Sequence, residues 1–439
     1  MTSRKQQIIG NVDWWLLLGY LLLVFFGWIN IYSASYSETH TSIFDMSAEQ
    51  GKQFVWICIS LGMGLFLLLF DARIYHVLSF IIYGLVMVGL VLVLLFGQTV
   101  AGNKSWFVIT SSIKIQPSEF AKFATALVMG RIMSDPKFSF SPGTSLANRF
   151  HIGPLSFNIS KNGMWAIIFV LIPAILILLE NDTGTTLVFL SFFLAFFRFG
   201  FNWLFLITGV LSVIIFFSTI LYPIYYVLAC LAFIGGIALL FTRQLLGGWK
   251  VWLLMMVFFT GFTLTVKPIY DKVLKEHHRK RIMVLLGQEK DMKGSGWNVN
   301  NSKMAIGSGG VAGKGFLKGT LTKLKFVPKQ HTDFIFSTVG EEWGFIGSTA
   351  LVLLYLFFIM RLIWVSERQR SMFSKVYGYC LACIFFFHFF MNIGTAIGMA
   401  PAVGIPLPLV SYGGSSLLGF TLLIFVFLKF DSQNMHILR

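Results

Sequence analysis

The chain has 439 residues, 56% of them hydrophobic and only 12% charged, about half the charged share of a soluble domain. Mean hydropathy is +0.78 and the net charge is +16. No soluble fold of this length hides that much apolar surface in one core, which excludes a soluble enzyme, a DNA-binding module and a secreted disulfide scaffold.

The apolar stretches are long enough for membrane helices rather than barrel strands. The first, Trp14 to Tyr32, follows Arg4 and Lys5 and has no small-residue cleavage site, so it is expected to remain as a signal anchor. Further runs lie at 54–70, 77–97, 119–133, 164–180, 184–200, 203–220, 224–241, 251–267, 345–361, 376–398 and 415–430. The expectation is an all-α polytopic membrane protein of twelve helices, residues 1–439 forming one membrane domain. The loops 71–76, 134–163, 242–250 and 362–375 carry Lys and Arg, whereas 34–53 carries Glu38, Asp45 and Glu49 against Lys52 alone. That bias puts both termini in the cytoplasm, as an even number of crossings requires. Segment 268–344 is then a large extracytoplasmic loop. From Lys267 to Trp343 it holds 14 Lys/Arg against 7 Asp/Glu, and its length exempts it from the positive-inside bias. A basic exterior loop suits an anionic substrate. Because positive charge is divided between the two faces, a nucleic-acid partner is not expected. Anionic membrane lipids are.

Ionisable groups within hydrocarbon point to function by default. Glu119 and Lys122, in Gln116-Pro117-Ser118-Glu119-Phe120-Ala121-Lys122, stand i,i+3 on one helix face and can pair. They read either as a structural ion pair or as the lining of a polar cavity. Asp182, in Glu180-Asn181-Asp182-Thr183-Gly184-Thr185, suits a helix N-cap and a cavity role together. His388, alone in an apolar run, reads as a hydrogen-bonded packing residue. The four cysteines, Cys58, Cys230, Cys380 and Cys383, all sit in apolar runs and read as small packing residues. Gly307 to Gly315 looks like a phosphate loop but fails the Walker pattern at Ser308 and Gly315. Its glycines could still offer backbone N–H groups to an anion.

Several ordered motifs carry a resemblance. They are Gly294-Ser295-Gly296-Trp297, Asn301 to Gly310, Gly313-Lys314-Gly315, Phe326-Val327-Pro328, His331 to Phe336, Glu341 to Gly347 and Gly404 to Ser416, with Gln116 to Lys122. Together they resemble the SEDS family (shape, elongation, division and sporulation), which includes RodA and FtsW. The Ala-Ile-Gly-Ser-Gly-Gly run with Gly-Lys-Gly is most like the RodA, elongation, branch. The resemblance implies a peptidoglycan glycosyltransferase of the bacterial inner membrane. It would join lipid II into glycan strands at the outer membrane face, with a class B penicillin-binding protein as partner. It also implies a core of about ten bilayer-length helices; region 203–267 holds three runs where one is expected, hence an extra hairpin.

Carried over residue by residue, the resemblance makes Asp291 the catalytic carboxylate, as general base or as holder of a divalent ion such as Mg or Mn, with Glu289 its rival. It gives Trp106 a functional role and places Glu119, Lys122 and Asp182 around a central cavity. His331, Thr332 and Asp333 shape the loop near the substrate, joined by Ser411 and Ser415 of an expected broken helix and by Lys303 and Lys314 of the basic loop. The sequence departs from the family pattern at Met292, Asn301 and Lys329, and of these Met292 puts the placement of the Asp291 carboxylate in question. Two other readings stay open: a flippase for lipid-linked precursors, which fits the intramembrane charges but leaves the long loop without a use, and a scaffold without chemistry.

Overall fold

The computed structural model describes residues 12–37, 42–100, 102–108, 110, 114–136, 150–152, 155–157, 161–201, 203–242, 249–272, 276–288 and 295–433. The helices are α1 Trp14–Ser35, α2 Glu49–Leu67, α3 Ala72–Phe96, α4 Pro117–Met133, α5 Lys161–Leu179, α6 Thr183–Val188, α7 Ser191–Arg198 and α8 Trp203–Leu221. They continue as α9 Ile224–Thr242, α10 Trp249–Lys272, α11 Glu276–Leu285, α12 Ser295–Ser308, α13 Thr320–Lys323, α14 Ile335–Glu367, α15 Met372–Ile397 and α16 Gly414–Ser432. Strands β1 Gln98–Val100, β2 Asn103–Val108 and β3 Lys114–Ile115 form one antiparallel sheet, and β4 Phe150–Ile152 pairs with β5 Leu155–Phe157.

All twelve apolar runs fall on helices, and the fold is an all-α polytopic membrane fold. Among the described residues seven helices are long and apolar enough to cross a membrane, and three shorter ones, Gly163–Leu179, Thr183–Arg198 and Ile224–Ile237, are apolar too. The runs at 54–70 and 119–133 differ for a physical reason. Helix α2 opens with Glu49, Gln50, Lys52 and Gln53, and the 17-residue α4 carries Glu119, Lys122 and Arg131. The run 184–200 is broken into α6 and α7. Helix α14 starts at Ile335, ahead of its apolar run, and kinks at Gly344 (φ 64°, ψ −159°).

The chain packs as two units. The larger comprises Met1–Phe138, Asn162–Ala195 and Met292–Arg439. Within it α14 packs against α15, α1 and α12, while α4 packs against α3, α15 and α16. Helix α4 is buried on every side, from Pro117 to Met133 with few breaks. Small residues permit this: Ala121, Ala124 and Ala126 are fully buried, and Gly130 lies against the Phe373 backbone. A helix enclosed by other helices need not be lipid-soluble, which is how α4 can carry charge. Several buried polar groups find partners, as hydrocarbon demands. Tyr20 Oη meets Thr421 Oγ1 at 2.9 Å, Tyr377 Oη donates to the Leu423 carbonyl at 2.9 Å, and Lys429 Nζ caps the end of α2 at the Leu68 carbonyl, 2.8 Å away.

One charged cluster ties the start of α1 to the ends of α14 and α16. Asp13 caps α1 by accepting from Leu16 N at 2.9 Å. It also accepts from Arg361 at 3.0 and 2.7 Å and from Arg368 at 3.0 Å. Arg368 reaches on to Asp431 at 3.1 and 2.5 Å, and Gln369 donates to the same carboxylate at 2.9 Å.

The smaller unit comprises Ser139–Lys161 and Phe196–Asp291. In it α8, α9 and α10 pack on one another, so region 203–267 does hold three helices. All four cysteines are free; Cys380 is buried in packing as expected, whereas Cys58 and Cys230 lie on exposed helix faces.

Candidate active site

The centre of the larger unit is a chain of polar groups at the start of α4. Pro117 sits in the first helical turn, where its fixed φ suits a helix start and its missing N–H costs nothing. This places Glu119 and Lys122 on the buried side, 3% and 1% exposed. Lys122 Nζ donates to Glu119 Oε2 at 2.8 Å. It also lies 3.2 Å from His388 Nε2 and 4.6 Å from the centre of the Phe420 ring. The three hydrogens of the ammonium thus face a carboxylate, an imidazole and an aromatic face.

Gln116 extends the chain, its Nε2 donating to Asp182 Oδ2 at 2.7 Å. Asp182 also caps α6, accepting from Thr185 N at 3.1 Å and Thr185 Oγ1 at 2.8 Å. The cap read from the sequence is therefore present, and the same carboxylate also holds Gln116. Burial raises its pKa, and the two Thr185 hydrogen bonds oppose the rise. Two residues earlier stands Glu180, 0% exposed, with neither carboxylate oxygen hydrogen-bonded among the described residues.

A second group surrounds the segment between α15 and α16. Ser411 Oγ donates to the Thr332 carbonyl at 2.6 Å and accepts from Leu407 N at 2.9 Å. The His331 carbonyl accepts from Tyr412 N at 2.8 Å, and the His331 and Tyr412 rings meet edge-on, 5.7 Å apart. Burial holds the His331 pKa low, with Lys325 and Lys329 adding to the effect and Glu49 opposing it. The Asp333 carbonyl accepts from Asn392 at 2.8 Å. The expected interruption before α16 is present: residues 401–413 are not helical.

Ser415 belongs to the first group. Its Oγ donates to the Lys114 carbonyl at 2.8 Å and accepts from Gln116 N at 3.3 Å. Trp106 is half-buried in β2, opposite Gln98. Lys303 is exposed on α12, its side chain passing over Gly398 at the end of α15. Lys314 stands apart, its Nζ 2.7 Å from Glu341 Oε1 and 2.8 Å from Thr320 Oγ1. Asp291 and Glu289 lie outside the described residues. Among the described residues no group of three or more His, Cys, Asp or Glu side chains is gathered to hold a metal ion.

The glycine-rich run serves the protein rather than an anion. Lys314 N and Gly315 N donate to the carbonyls of Glu341 and Glu342, at 3.1 and 3.0 Å. In return Gly310 and Val311 accept from Phe345 N and Ile346 N, at 2.9 and 3.1 Å. Backbone lies on backbone here. A Cβ at Gly309 would stand 2.0 Å from the Gly340 oxygen, and one at Gly344 2.2 Å from Gly313 N. Glu341, wholly buried, receives Lys314, Thr320 Oγ1 (3.2 Å), Leu321 N (2.9 Å), Thr322 N (2.8 Å) and Thr322 Oγ1 (2.6 Å). Sequence reasoning took Glu341 only as part of a motif and did not reach Gln116, Glu180 or His388 as members of the polar chain. Gln116 and Glu180 stand inside quoted motifs, so a signal was present. For His388 only burial of an imidazole in an apolar run could have served.

The protein-family model described as "Cell cycle protein", for FtsW, RodA and SpoVE, matches residues 13–234 and 226–436. Peptidoglycan glycosyltransferase MrdB of Escherichia coli K12 is 31% identical over 362 residues, 82% of this chain and 80% of that protein. Peptidoglycan glycosyltransferase RodA of Treponema pallidum is 30% identical over 435 residues, 93% of this chain and 95% of that one. The fold is similar to a chain in a solved peptidoglycan synthase complex that coordinates polymerization and crosslinking, with a TM-score of 0.69 at 22% identity, covering 97% of this chain and 99% of that chain. It is also similar to the crystal structure of the rod shape determining protein RodA of Thermus thermophilus, with a TM-score of 0.59 at 21% identity, covering 96% and 97%.

Proposed function

Because the chain belongs to the FtsW/RodA/SpoVE family of cell cycle proteins, we propose that it is a peptidoglycan glycosyltransferase that polymerises lipid II for cell elongation and shape. The observation that carries this is a family match running almost end to end, with relatives at 30–31% identity that bear that activity in their names. Both termini are cytoplasmic, the membrane is the bacterial inner membrane, and the basic segment 268–344 faces outward.

Glycosyl transfer from a lipid pyrophosphate needs a base for the attacking hydroxyl and positive charge for the leaving group. In our reading the acceptor hydroxyl forms the new bond to the donor's anomeric carbon as the bond to pyrophosphate breaks. Asp291 takes the hydroxyl proton. Lys122, oriented by Glu119, supplies positive charge toward the pyrophosphate, and Asp182 fixes Gln116 beside them. Trp106 offers a face to the substrate and Lys303 a solvent-exposed cation. Ser411, Ser415, His331 and Asp333 hold the segments that shape the site. A class B penicillin-binding protein crosslinks the product.

The test is polymerisation of lipid II by the purified protein, wild type against Asp291→Asn, with and without the partner. Strands from wild type and none from a folded mutant support the reading. Equal product from both removes Asp291 and moves attention to Glu289. No product from either, with partner and divalent metal supplied, favours the flippase, which lipid II translocation in liposomes then measures.

A further inference from the structure

His388 is 2% exposed and bonded on both ring nitrogens. Nδ1 lies 3.1 Å from the Pro406 carbonyl and Nε2 lies 3.2 Å from Lys122 Nζ. The partners fix the tautomer. A carbonyl can only accept, so Nδ1 carries the hydrogen; an ammonium can only donate, so Nε2 presents its lone pair. The ring also packs edge-on against Phe420, the aromatic face that closes the third side of the ammonium, at 5.0 Å.

His388 is one of three side chains on the same stripe of α15 that bind carbonyls of the non-helical segment. Asn392 Nδ2 donates to Ile405 O at 2.8 Å, and Thr395 Oγ1 donates to Pro401 O at 3.0 Å. Asn392 also donates to the Asp333 carbonyl at 2.8 Å, and Thr395 stops at Pro401. His388 alone of the three continues to a charged group. The Pro406 segment runs on to Ser411, which holds the loop of His331 and Thr332. His388 therefore joins two parts of the larger unit, the buried ion pair of α4 and the segment docked on the outer loop.

We propose that His388 is a positioning residue for glycosyl transfer: its Nε2 lone pair fixes the Lys122 ammonium, and its Nδ1–H sets that position from the Pro406 carbonyl. The proposal rests on the reading that Lys122 serves the reaction. Without the imidazole, Lys122 keeps only Glu119 as a hydrogen-bonding acceptor and swings with it, and misplacement by about 1 Å costs on the order of 10²-fold in rate.

Lipid II polymerisation would be followed at saturating and limiting substrate for wild type, K122M, H388L, H388Q, H388N, N392A and the H388L/K122M and N392A/K122M double mutants. The expected result is a 10- to 100-fold loss of kcat in H388L with KM little changed, by the misplacement argument. H388Q, whose Oε1 can accept from Lys122, regains most of that rate. The double mutant is no slower than K122M, because a residue acting through Lys122 has nothing left to position. N392A, which loosens the same segment without touching Lys122, multiplies with K122M and gains no such masking. If H388L fails to fold, H388Q and H388N decide: H388N keeps a donor for Pro406 but cannot reach Lys122, so it should fall below H388Q. Independent, multiplying losses in H388L and K122M, or equal rates in H388N and H388Q, overturn the proposal. A K122M enzyme with wild-type rate instead overturns the role of Lys122 on which it rests, whatever His388 does.

Discussion

Replacing Glu341 by Ala should open the loop from Gly313 to Lys323 without unfolding the bundle. The side chain is wholly buried and accepts five hydrogen bonds, from Lys314 Nζ, Thr320 Oγ1, Leu321 N, Thr322 N and Thr322 Oγ1. Its loss strands the first amides of α13, a buried hydroxyl and a lysine. Each buried donor left unsatisfied costs about 1–3 kcal/mol, but the loop relaxes and water reaches part of it, so the net cost is about 3–5 kcal/mol, as for a broken buried pair. At 1.4 kcal/mol per decade, that raises the opening equilibrium of the loop by roughly two to three and a half decades. Hydrogen exchange of the amides of Lys314, Gly315, Leu321 and Thr322 reads this directly. Glu341→Gln keeps one acceptor oxygen and should cost about half as much. Lys314→Met should cost only about 1 kcal/mol, because that side chain is 26% exposed and the carboxylate retains four neutral donors. Unchanged protection of these amides in Glu341→Ala would refute the reasoning. A K314M enzyme with a raised KM but a closed loop would return Lys314 to the substrate.

Two further outcomes follow from the same geometry. Asp431→Ala strips Arg368 and Gln369 of a shared acceptor and should cost about 3 kcal/mol, seen as a lower melting temperature; a shift no larger than for an exposed surface substitution would show the cluster to be idle. Gly344→Ala places a Cβ 2.2 Å from Gly313 N at a φ of 64°, so the variant should fail to accumulate in the membrane, and normal yield and melting temperature would show that the kink can relax.

How much of this was legible in the sequence depends on the range of the interaction. Apolar runs are local, and all twelve fell on helices. The pairing of Glu119 with Lys122 follows from i,i+3 spacing on one helix, and the Asp182 cap from three consecutive residues. What the sequence concealed is what lies far apart along the chain. Lys122 and His388 are separated by 266 positions, and Ser33, which donates to Glu342, by 309. The glycine-rich run misled for the same reason. Gly309 and Gly344 look like freedom offered to a ligand, but their missing side chains make room for a second stretch of the same backbone. Lys314 likewise read as a cation for substrate because Glu341, its partner, is 27 residues away.

The buried charges of the larger unit divide by how completely the protein answers them. At Asp13, Arg361, Arg368 and Asp431 each carboxylate meets guanidinium or amide donors, and Glu341 is answered five times over. Carboxylates held in this way are costly to disturb. The chain from Glu180 through Asp182, Gln116, Glu119 and Lys122 to His388 is different. At one end Glu180 is enclosed with no hydrogen-bond partner on either oxygen among the described residues. At the other, Lys122 is held by one carboxylate, one neutral imidazole and an aromatic face, a weaker hold than a second carboxylate would give. An enclosed carboxyl without a hydrogen-bond partner among the described residues and a cation held by exchangeable partners leave this chain able to respond to an arriving charge. The carboxylates of the other two clusters are already answered by strong donors, and that contrast is the physical reason the polar chain, rather than the ion pairs around it, is the candidate site of the larger unit.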